Sequence, residues 1–221
     1  MSEQVMLFAV PKARMNIKLA KHIAGSLGKP SKMPGLSYGI SATLCNVGAK
    51  LAKVIGSVCH GCYALKANYK YPSVTHAHTK RYNGLSSVSW ADSMIKLIGA
   101  SGETYFRWHD SGDIQNLQHL FDIVRVAESL PNVNFWLPTK EKGLVVEYQQ
   151  SFGDFPGNLI VRLSSAMVDA KPMQGFTHTS TVHDKAEPVG FACKAPSQGN
   201  KCLDCRACWD KSISNISYHL H

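Results

Sequence analysis

Short apolar segments alternate with longer amphipathic ones between residues 37 and 165, and this alternation limits the possible folds more than any other feature. A strand, a helix and a second strand in succession favour a βαβ unit, in which the two strands lie parallel in one sheet. The predicted strands are residues 6–10, 37–44, 105–109, 134–137, 158–163 and 177–183. The predicted helices are residues 16–27, 87–98, 116–130 and 143–150. We therefore expect an α/β fold, a TIM-like or partial (β/α) barrel with parallel strands.

The segment 116–130 gives the clearest helical pattern. Leu117, Leu120, Phe121 and Val124 recur at helical spacing, so they line one face. Asn116 can cap the first turn. This helix supports the predicted alternation of strands and helices in the middle of the chain.

The last 34 residues differ in composition from the rest, because four of the seven cysteines lie there. We expect a barrel-like domain over residues 1–187. Residues 188–221 would then form a cysteine-rich tail that binds a cluster and packs on the barrel.

Polar residues follow the predicted strands at their carboxyl ends, where parallel sheets place their sites. They include Cys45, the pair His109 and Asp110, and Lys140. His109, Asp110 and Asp113 are the candidates for catalytic residues at this end, although His109 and Asp110 could instead form a pair in the core. Carboxylates are too sparse in the first half for a hydrolase with paired carboxylates, and no nucleophile elbow is present.

The cysteines fall into two groups. The Cys45 group consists of Cys45, Cys59 and Cys62, and the Cys193 group consists of Cys193, Cys202, Cys205 and Cys208. Clustered cysteines, odd in number and without a signal-peptide pattern, point to metal binding and not to disulfides. The Cys193 group has the spacing C-x8-C-x2-C-x2-C, which is typical of iron–sulfur clusters. The alternatives are zinc and free thiols.

The Cys45 group could hold a [4Fe–4S] cluster with one iron left open to a substrate or cofactor. Two other interpretations remain. Cys45 could be a buried thiol at a strand end, or the two groups could share a single site at one barrel mouth.

The charge is unevenly distributed. The chain carries +9 overall, and no acidic residue lies between Glu3 and Asp92, a stretch with twelve of the 24 Lys and Arg residues. Such asymmetry favours a polyanion, most plausibly nucleic acid, although a solvated basic face without a partner gives the same pattern. Between residues 64 and 82, cations alternate with tyrosines in a way that suits base stacking and phosphate contacts. The candidate contacts are Lys66, Lys70, Lys80 and Arg81.

A strand, a three-cysteine loop and a second strand ending in a Gly-acid turn resemble the beginning of a radical S-adenosylmethionine (SAM) enzyme. The resemblance implies that the Cys45 group holds a [4Fe–4S] cluster and that the Cys193 group forms an auxiliary-cluster domain. It also implies that Ser111, Gly112 and Asp113 bind the amino group of SAM, where that family has Gly-Gly-Glu. The first cysteine gap is thirteen residues here, longer than in the family's C-x3-C-x2-C pattern.

The segments CHGCYALKANY, FRWHDSGD and CxxCRACW resemble a phage-encoded family, gene product 88-like, along most of the chain. We therefore expect a phage-type iron–sulfur protein with redox or radical SAM-like chemistry and with nucleic acid as a candidate substrate. The alternative is a non-catalytic, metal-stabilised protein that binds nucleic acid or transfers electrons. No apolar run reaches the roughly 18 residues of a membrane span, so we expect no membrane contact and a cytoplasmic location, in the host if the protein is phage-encoded.

Overall fold

The computed structural model describes residues 14–220, which form one seven-stranded sheet with helices packed along it. The strands are β1 (Leu36–Tyr38), β2 (Tyr105–Trp108), β3 (Asn134–Thr139), β4 (Leu159–Ser164), β5 (Thr179–His183), β6 (Phe191–Ala192) and β7 (Asn215–His219). The helices are α1 (Ile17–Ala24), α2 (Asn46–Leu51), α3 (Pro72–Gly84), α4 (Trp90–Gly99), α5 (Leu117–Ser129) and α6 (Lys142–Phe152). The longest, α3 and α5, have 13 residues each, and no helix of the described chain has the length and apolar character needed to cross a membrane. The predicted strand at residues 6–10 lies outside the described residues.

All neighbouring strands are parallel, in the order β1-β2-β3-β4-β5-β7-β6. The first five strands therefore follow each other across the sheet in chain order. Right-handed crossovers that always advance in one direction place their helices on one face, and α1, α4, α5 and α6 do contact each other in one layer. The prediction of a parallel α/β fold is confirmed. A closed TIM-like barrel is wrong, because the described sheet stays open with β1 and β6 at its edges.

The expected separate tail is not confirmed. Residues after 188 supply two strands of the same sheet, and β7 lies between β5 and β6. Thr179 of β5, for example, is paired with Asn215 of β7. The predicted boundary at residue 187 remains a prediction, but strands from both sides of it belong to one sheet.

The two faces of the sheet differ in chemistry, because successive side chains of a strand point to opposite faces. Phe106, Trp108 and Phe135 join the apolar core under the helices. Arg107 and Trp136 alternate with them and lie on the other face, where the Arg107 guanidinium is 4.6 Å from the centre of the Trp136 ring. We call this second face the site face.

Several element boundaries differ from the predictions for local reasons. The strand predicted at 37–44 ends at Tyr38, and Ala42–Leu44 forms a 3₁₀ turn in which the Ser41 side chain accepts a hydrogen bond from the Thr43 amide. The first helix ends at Ala24 because Gly25 has φ +82°, outside the helical region. The helix predicted at 87–98 begins at Trp90.

Candidate metal centres

The Cys45 group lies at the carboxyl end of the sheet, where the sequence pattern predicted a site. Cys45 precedes the first turn of α2, and Cys59 and Cys62 lie in the turns that follow this helix. A Cβ atom on Gly48 would lie 3.5 Å from Cys45 Sγ and 3.7 Å from Cys59 Sγ. Both sulfurs therefore lie over the same spot of α2, which carries no side chain. Burial raises the pKa of Cys45 and Cys59, and Cys62 is near enough for its charge to add to that rise.

Backbone hydrogen bonds hold the loop after α2, residues 52–62, against the end of β4. The Val58 amide donates to the Ala166 carbonyl at 2.9 Å, and the Val168 amide donates to the Gly56 carbonyl at 3.0 Å. Residues 166–168, far from the cysteine loop in sequence, thus hold this loop over the sheet.

Lys140 is the cation of the Cys45 group. Its Nζ atom donates a hydrogen bond of 2.8 Å to the Ser165 carbonyl. Burial lowers its pKa, and the nearby Cys59 and Asp113 oppose that effect. Burial also raises the pKa of the Cys45 thiol to about 12. A metal would have to displace this proton, because the thiolate is the ligand form.

Glu141 is a residue of this site that the sequence analysis missed. It is buried, and its Oε1 atom accepts a hydrogen bond of 2.9 Å from the Val47 amide in the first turn of α2. The carboxylate therefore binds an orphan amide at a helix N-terminus and fixes the direction in which Cys45 enters the helix. Its position directly after Lys140, which the sequence analysis placed at a polar strand end, was the signal that could have found it.

The turn Ser111-Gly112-Asp113 is tightly integrated into the fold. Asp113 is buried and accepts hydrogen bonds from Thr139 Oγ1 at 2.6 Å, the Lys140 amide at 2.9 Å and the Ile114 amide at 2.8 Å. Burial raises its pKa to about 6, and these hydrogen bonds oppose the rise. Gly112 has φ +80°, and a Cβ atom there would lie 2.4 Å from the Ile40 side chain. Structural requirements thus account for Gly112 and Asp113, whereas the buried Ser111 hydroxyl has no hydrogen-bond partner within the described chain.

His109 and Asp110 do not form the pair considered from the sequence. The His109 ring packs against His119 of α5, 5.3 Å away, and burial lowers its pKa well below the usual value. On the side away from His119, the backbone carbonyl of Asp110 accepts a hydrogen bond of 2.7 Å from the Tyr63 hydroxyl. Its Oδ1 atom is buried and has no partner among the described residues. Asp110 is thus the carboxylate of this strand end that has a free acceptor atom.

The Cys193 group surrounds one small cavity on the site face. All four cysteines line it, together with Trp209 and Ile216. Cys193 is fixed by its amide, which donates to the Ser217 carbonyl of β7, and Cys208 Sγ lies 3.3 Å from the Tyr218 hydroxyl. The cysteines of this group face sulfur and apolar atoms, with no carboxylate in the lining.

Arg162 of β4 fixes the segment that carries Cys208. It is fully buried and donates hydrogen bonds to the carbonyls of Ala207, Cys208, Asp210, Ile213 and Ser214. Trp209 adds a hydrogen bond of 3.0 Å from its indole to the Phe106 carbonyl of β2. The segment is therefore tied to the middle of the sheet.

Arg107 lies between the two groups. Its Nη2 atom is 3.4 Å from the hydroxyl of Tyr63, which directly follows Cys62. Burial raises the pKa of Cys202 and Cys208, and the charge of Arg107 opposes that rise. All seven cysteines are free thiols. Among residues 14–220, no group of three or more His, Cys, Asp or Glu side chains is arranged to hold a metal ion. The metal and cluster assignments thus remain predictions.

The four basic residues predicted to contact nucleic acid separate into two kinds. Lys66, Lys70 and Lys80 are exposed. Arg81 is buried and donates to the carbonyls of Ser26 at 2.8 Å and Gly39 at 3.1 Å, so its guanidinium supports the fold.

A sequence profile described as gene product 88 matches residues 11–211. No curated protein and no solved structure matches the chain.

Proposed function

This chain belongs to the gene product 88 family, and from that premise we propose that it is an iron–sulfur protein with two [4Fe–4S] sites on an open (β/α) sheet. Membership names no reaction, so the argument depends on the residues. The observation that carries it is the division of seven free thiols into a group of three and a group of four. None of the three cysteines of the Cys45 group lines the cavity of the Cys193 group. This separation favours two sites over one shared site.

The Cys193 group suits a closed cluster. Four thiolates provide a ligand for each iron of a cubane. A structural zinc ion, bound at about 2.3 Å by each sulfur, needs sulfurs that converge on one point. The four cysteines line a common cavity and have the C-x8-C-x2-C-x2-C spacing that is typical of iron–sulfur clusters. We therefore favour a cluster over zinc, with a role in electron transfer or in stabilising the segment.

The Cys45 group suits an open cluster. When bound there, a cluster with three protein ligands supplies one iron that can bind and reduce a substrate or cofactor. The ammonium of Lys140 offsets part of the negative charge of the thiolates. Glu141 and the loop contacts to residues 166–168 hold the cysteines in position.

SAM is the cofactor that the radical SAM resemblance implies for this site. Its ammonium group needs a hydrogen-bond acceptor, and the sequence analysis assigned that role to Asp113. Three protein donors already occupy the Asp113 carboxylate. Asp110 Oδ1 and the Ser111 hydroxyl remain without partners in the described chain, so we assign these two residues to the ammonium.

Nucleic acid is the partner that we propose for this protein. Within residues 14–220 the single ion pair joins Arg125 to Asp92, so none of the exposed lysines before residue 92 is neutralised by an ion pair there. Unpaired cations on a surface attract phosphates and release their counterions on binding.

Anaerobic purification with counts of iron, sulfide and zinc tests the proposal, followed by electron paramagnetic resonance of the reduced protein with and without SAM. We expect about eight irons, since each cubane contains four. Cys45→Ser and Cys208→Ser should each remove about half of the iron. A change in the spectrum on adding SAM would support the open site.

Zinc without sulfide would contradict the iron–sulfur proposal. Loss of all iron in both variants would show one shared site. Eight irons without a response to SAM would favour electron transfer over radical chemistry.

A further inference from the structure

A polar surface groove lies between α1 and α3, apart from both cysteine groups. Its volume is about 490 Å³. The polar side chains that line it are His22, His76, Thr79, Lys80, Asn83 and Ser87. None of them belongs to the candidate metal centres.

The helical period of α3 explains the groove. His76, Thr79, Lys80 and Asn83 follow the spacing i, i+3, i+4 and i+7, so they lie on one face of the helix. The buried residues of α3 lie on another face, toward the core. Two polar turns therefore face outward over a length of about 10 Å, at 1.5 Å per residue. This length exceeds a single phosphate group and suits an extended ligand.

Gly84 lets α1 approach α3 and form the floor. A Cβ atom at this position would lie 2.4 Å from the Ile23 carbonyl oxygen and 3.2 Å from Ala24 Cα. Because only glycine fits, the two helices meet closely at this end and both contribute to the lining.

The lining of the groove contains one cation, Lys80, several hydrogen-bond donors and no carboxylate. Lys80 and His76 are exposed. Lysine, asparagine, serine and threonine can all donate hydrogen bonds to phosphate oxygens. The surrounding chain adds positive charge, since no acidic residue occurs between Glu3 and Asp92.

We propose that this groove binds the phosphodiester backbone of a nucleic acid. The inference rests on the nucleic-acid partner proposed above and gives that partner a place on the surface. Tyr71 and Tyr82, 56% and 40% exposed, lie at the two ends of α3 and outside the groove lining, so they can stack only on bases that extend past the groove. A single strand, whose bases are free to turn outward, is therefore the form of nucleic acid that we propose.

Fluorescence anisotropy of the complete, iron-loaded protein tests this inference with a labelled single-stranded DNA of about 16 nucleotides, the upper site size of one single-strand-binding fold. The dissociation constant is measured over a series of salt concentrations. The variants are Lys80→Gln, the pair His22→Gln with His76→Gln, and Lys171→Gln as an exposed lysine outside the groove. Duplex DNA, RNA and an acidic peptide serve as competitors. Iron and sulfide are counted in every sample.

We expect Lys80→Gln to lower the slope of log affinity against log salt by about 0.7, the contribution of one contact to a single strand. Replacing both histidines by glutamine should also weaken binding, whereas Lys171→Gln should leave the affinity and the slope unchanged. Equal losses at Lys80 and Lys171 would mean diffuse attraction and would overturn the groove. If the wild type and both groove variants bind DNA equally well, the groove assignment is also overturned. The proposal of a nucleic-acid partner would then stand.

Wild-type protein with full iron content that binds no nucleic acid at low salt would end the partner proposal and this inference together. Preferential displacement by the acidic peptide would likewise overturn the inference. The iron counts are independent of every one of these results, so failure of the groove can be told from failure of the iron–sulfur proposal.

Discussion

At the scale of single residues, Gly48 controls the space beside two cysteines. A Cβ atom there would lie 3.0 Å from Cys45 Cβ, closer than side chains normally pack. We predict that Gly48→Val fills this space, so that the protein keeps its fold and loses about half of its iron, the share of one of two cubanes. Iron counts and circular dichroism measure the two effects. Gly143→Val is the matched control, because Gly143 also lies in a helix and has open space around it.

An unchanged iron content in Gly48→Val would show that the Cys45 group binds no cluster near α2. Loss of iron in Gly143→Val as well would mean that a valine in any helix disturbs the protein, and the comparison would then carry no information about the site.

His119 should make stability depend on pH. Burial lowers its pKa from 6.5 to about 3, so the folded protein keeps it neutral while the unfolded chain takes up a proton below pH 6.5. Stability is therefore lost as the pH falls from 6.5 toward 3. Between pH 7 and pH 5 this residue alone should cost about 2 kcal/mol. His119→Phe keeps a ring beside Trp90 and should remove that share of the loss, as measured by urea unfolding at both pH values.

His76→Phe provides the comparison, since His76 is an exposed histidine of α3. The same pH dependence in wild type and His119→Phe would contradict the assignment of the loss to His119.

At the scale of elements, Arg162 connects β4 to the segment that carries Cys208. Its removal takes away the only side-chain donor to the carbonyls of Cys208 and Ile213, whereas those of Ala207, Asp210 and Ser214 keep a backbone N–H donor. We predict that Arg162→Leu destabilises the protein by about 2–6 kcal/mol, because each buried carbonyl left without a donor costs about 1–3 kcal/mol. The iron of the Cys193 group should be lost and that of the Cys45 group retained. Denaturant unfolding and iron counts measure both.

Arg125→Leu is the control, because it removes an arginine whose ion pair with Asp92 is partly exposed. Such a pair contributes at most about 1 kcal/mol. Equal costs for the two variants would mean that the contacts of Arg162 add nothing specific.

The helix α5 and the strand β1 show what local sequence could predict about elements. The prediction of residues 116–130 was accurate to one residue at each end, because Asn116 does cap the helix by accepting a hydrogen bond from the His119 amide. The strand at 37–44 was too long, since apolar residues alone do not distinguish a strand from the turn Ala42–Leu44. The strands β6 and β7 were missed because β6 has only two residues, and β7 pairs with β5 and β6 across long stretches of sequence.

At the scale of the whole molecule, the same limit applies to the candidate sites. Cysteine spacing divided the seven cysteines into two groups from sequence alone. Lys140, Glu141 and Arg107 reach those groups only through the packing of β2 and β3 against distant loops, which no local pattern contains. The parallel pairing of the strands up to β5 was predictable from the alternation, but whether the sheet closes depends on the long chain segment after β4.

The helix layer and the cysteine segments should respond differently to loss of metal. The apolar core under the helices contains Trp90, Trp108 and Leu120, all buried, and includes no cysteine of either group among its members. The segments 46–62 and 193–210 consist of short helices and turns, and a metal bound to their cysteines would stabilise them directly. Removal of iron should therefore increase hydrogen exchange in these two segments by about tenfold or more, which corresponds to about 1.4 kcal/mol of local stability.

Amides of α4 and α5 should exchange at the same rate with and without iron, and they serve as the internal control in one mass-spectrometric measurement. Faster exchange throughout the protein would show that the helix core itself depends on metal. Unchanged exchange in residues 46–62 and 193–210 would contradict both proposed sites, because a cluster that binds the folded protein must stabilise the segments that hold its ligands. Faster exchange in one segment alone would assign a single cluster to that segment.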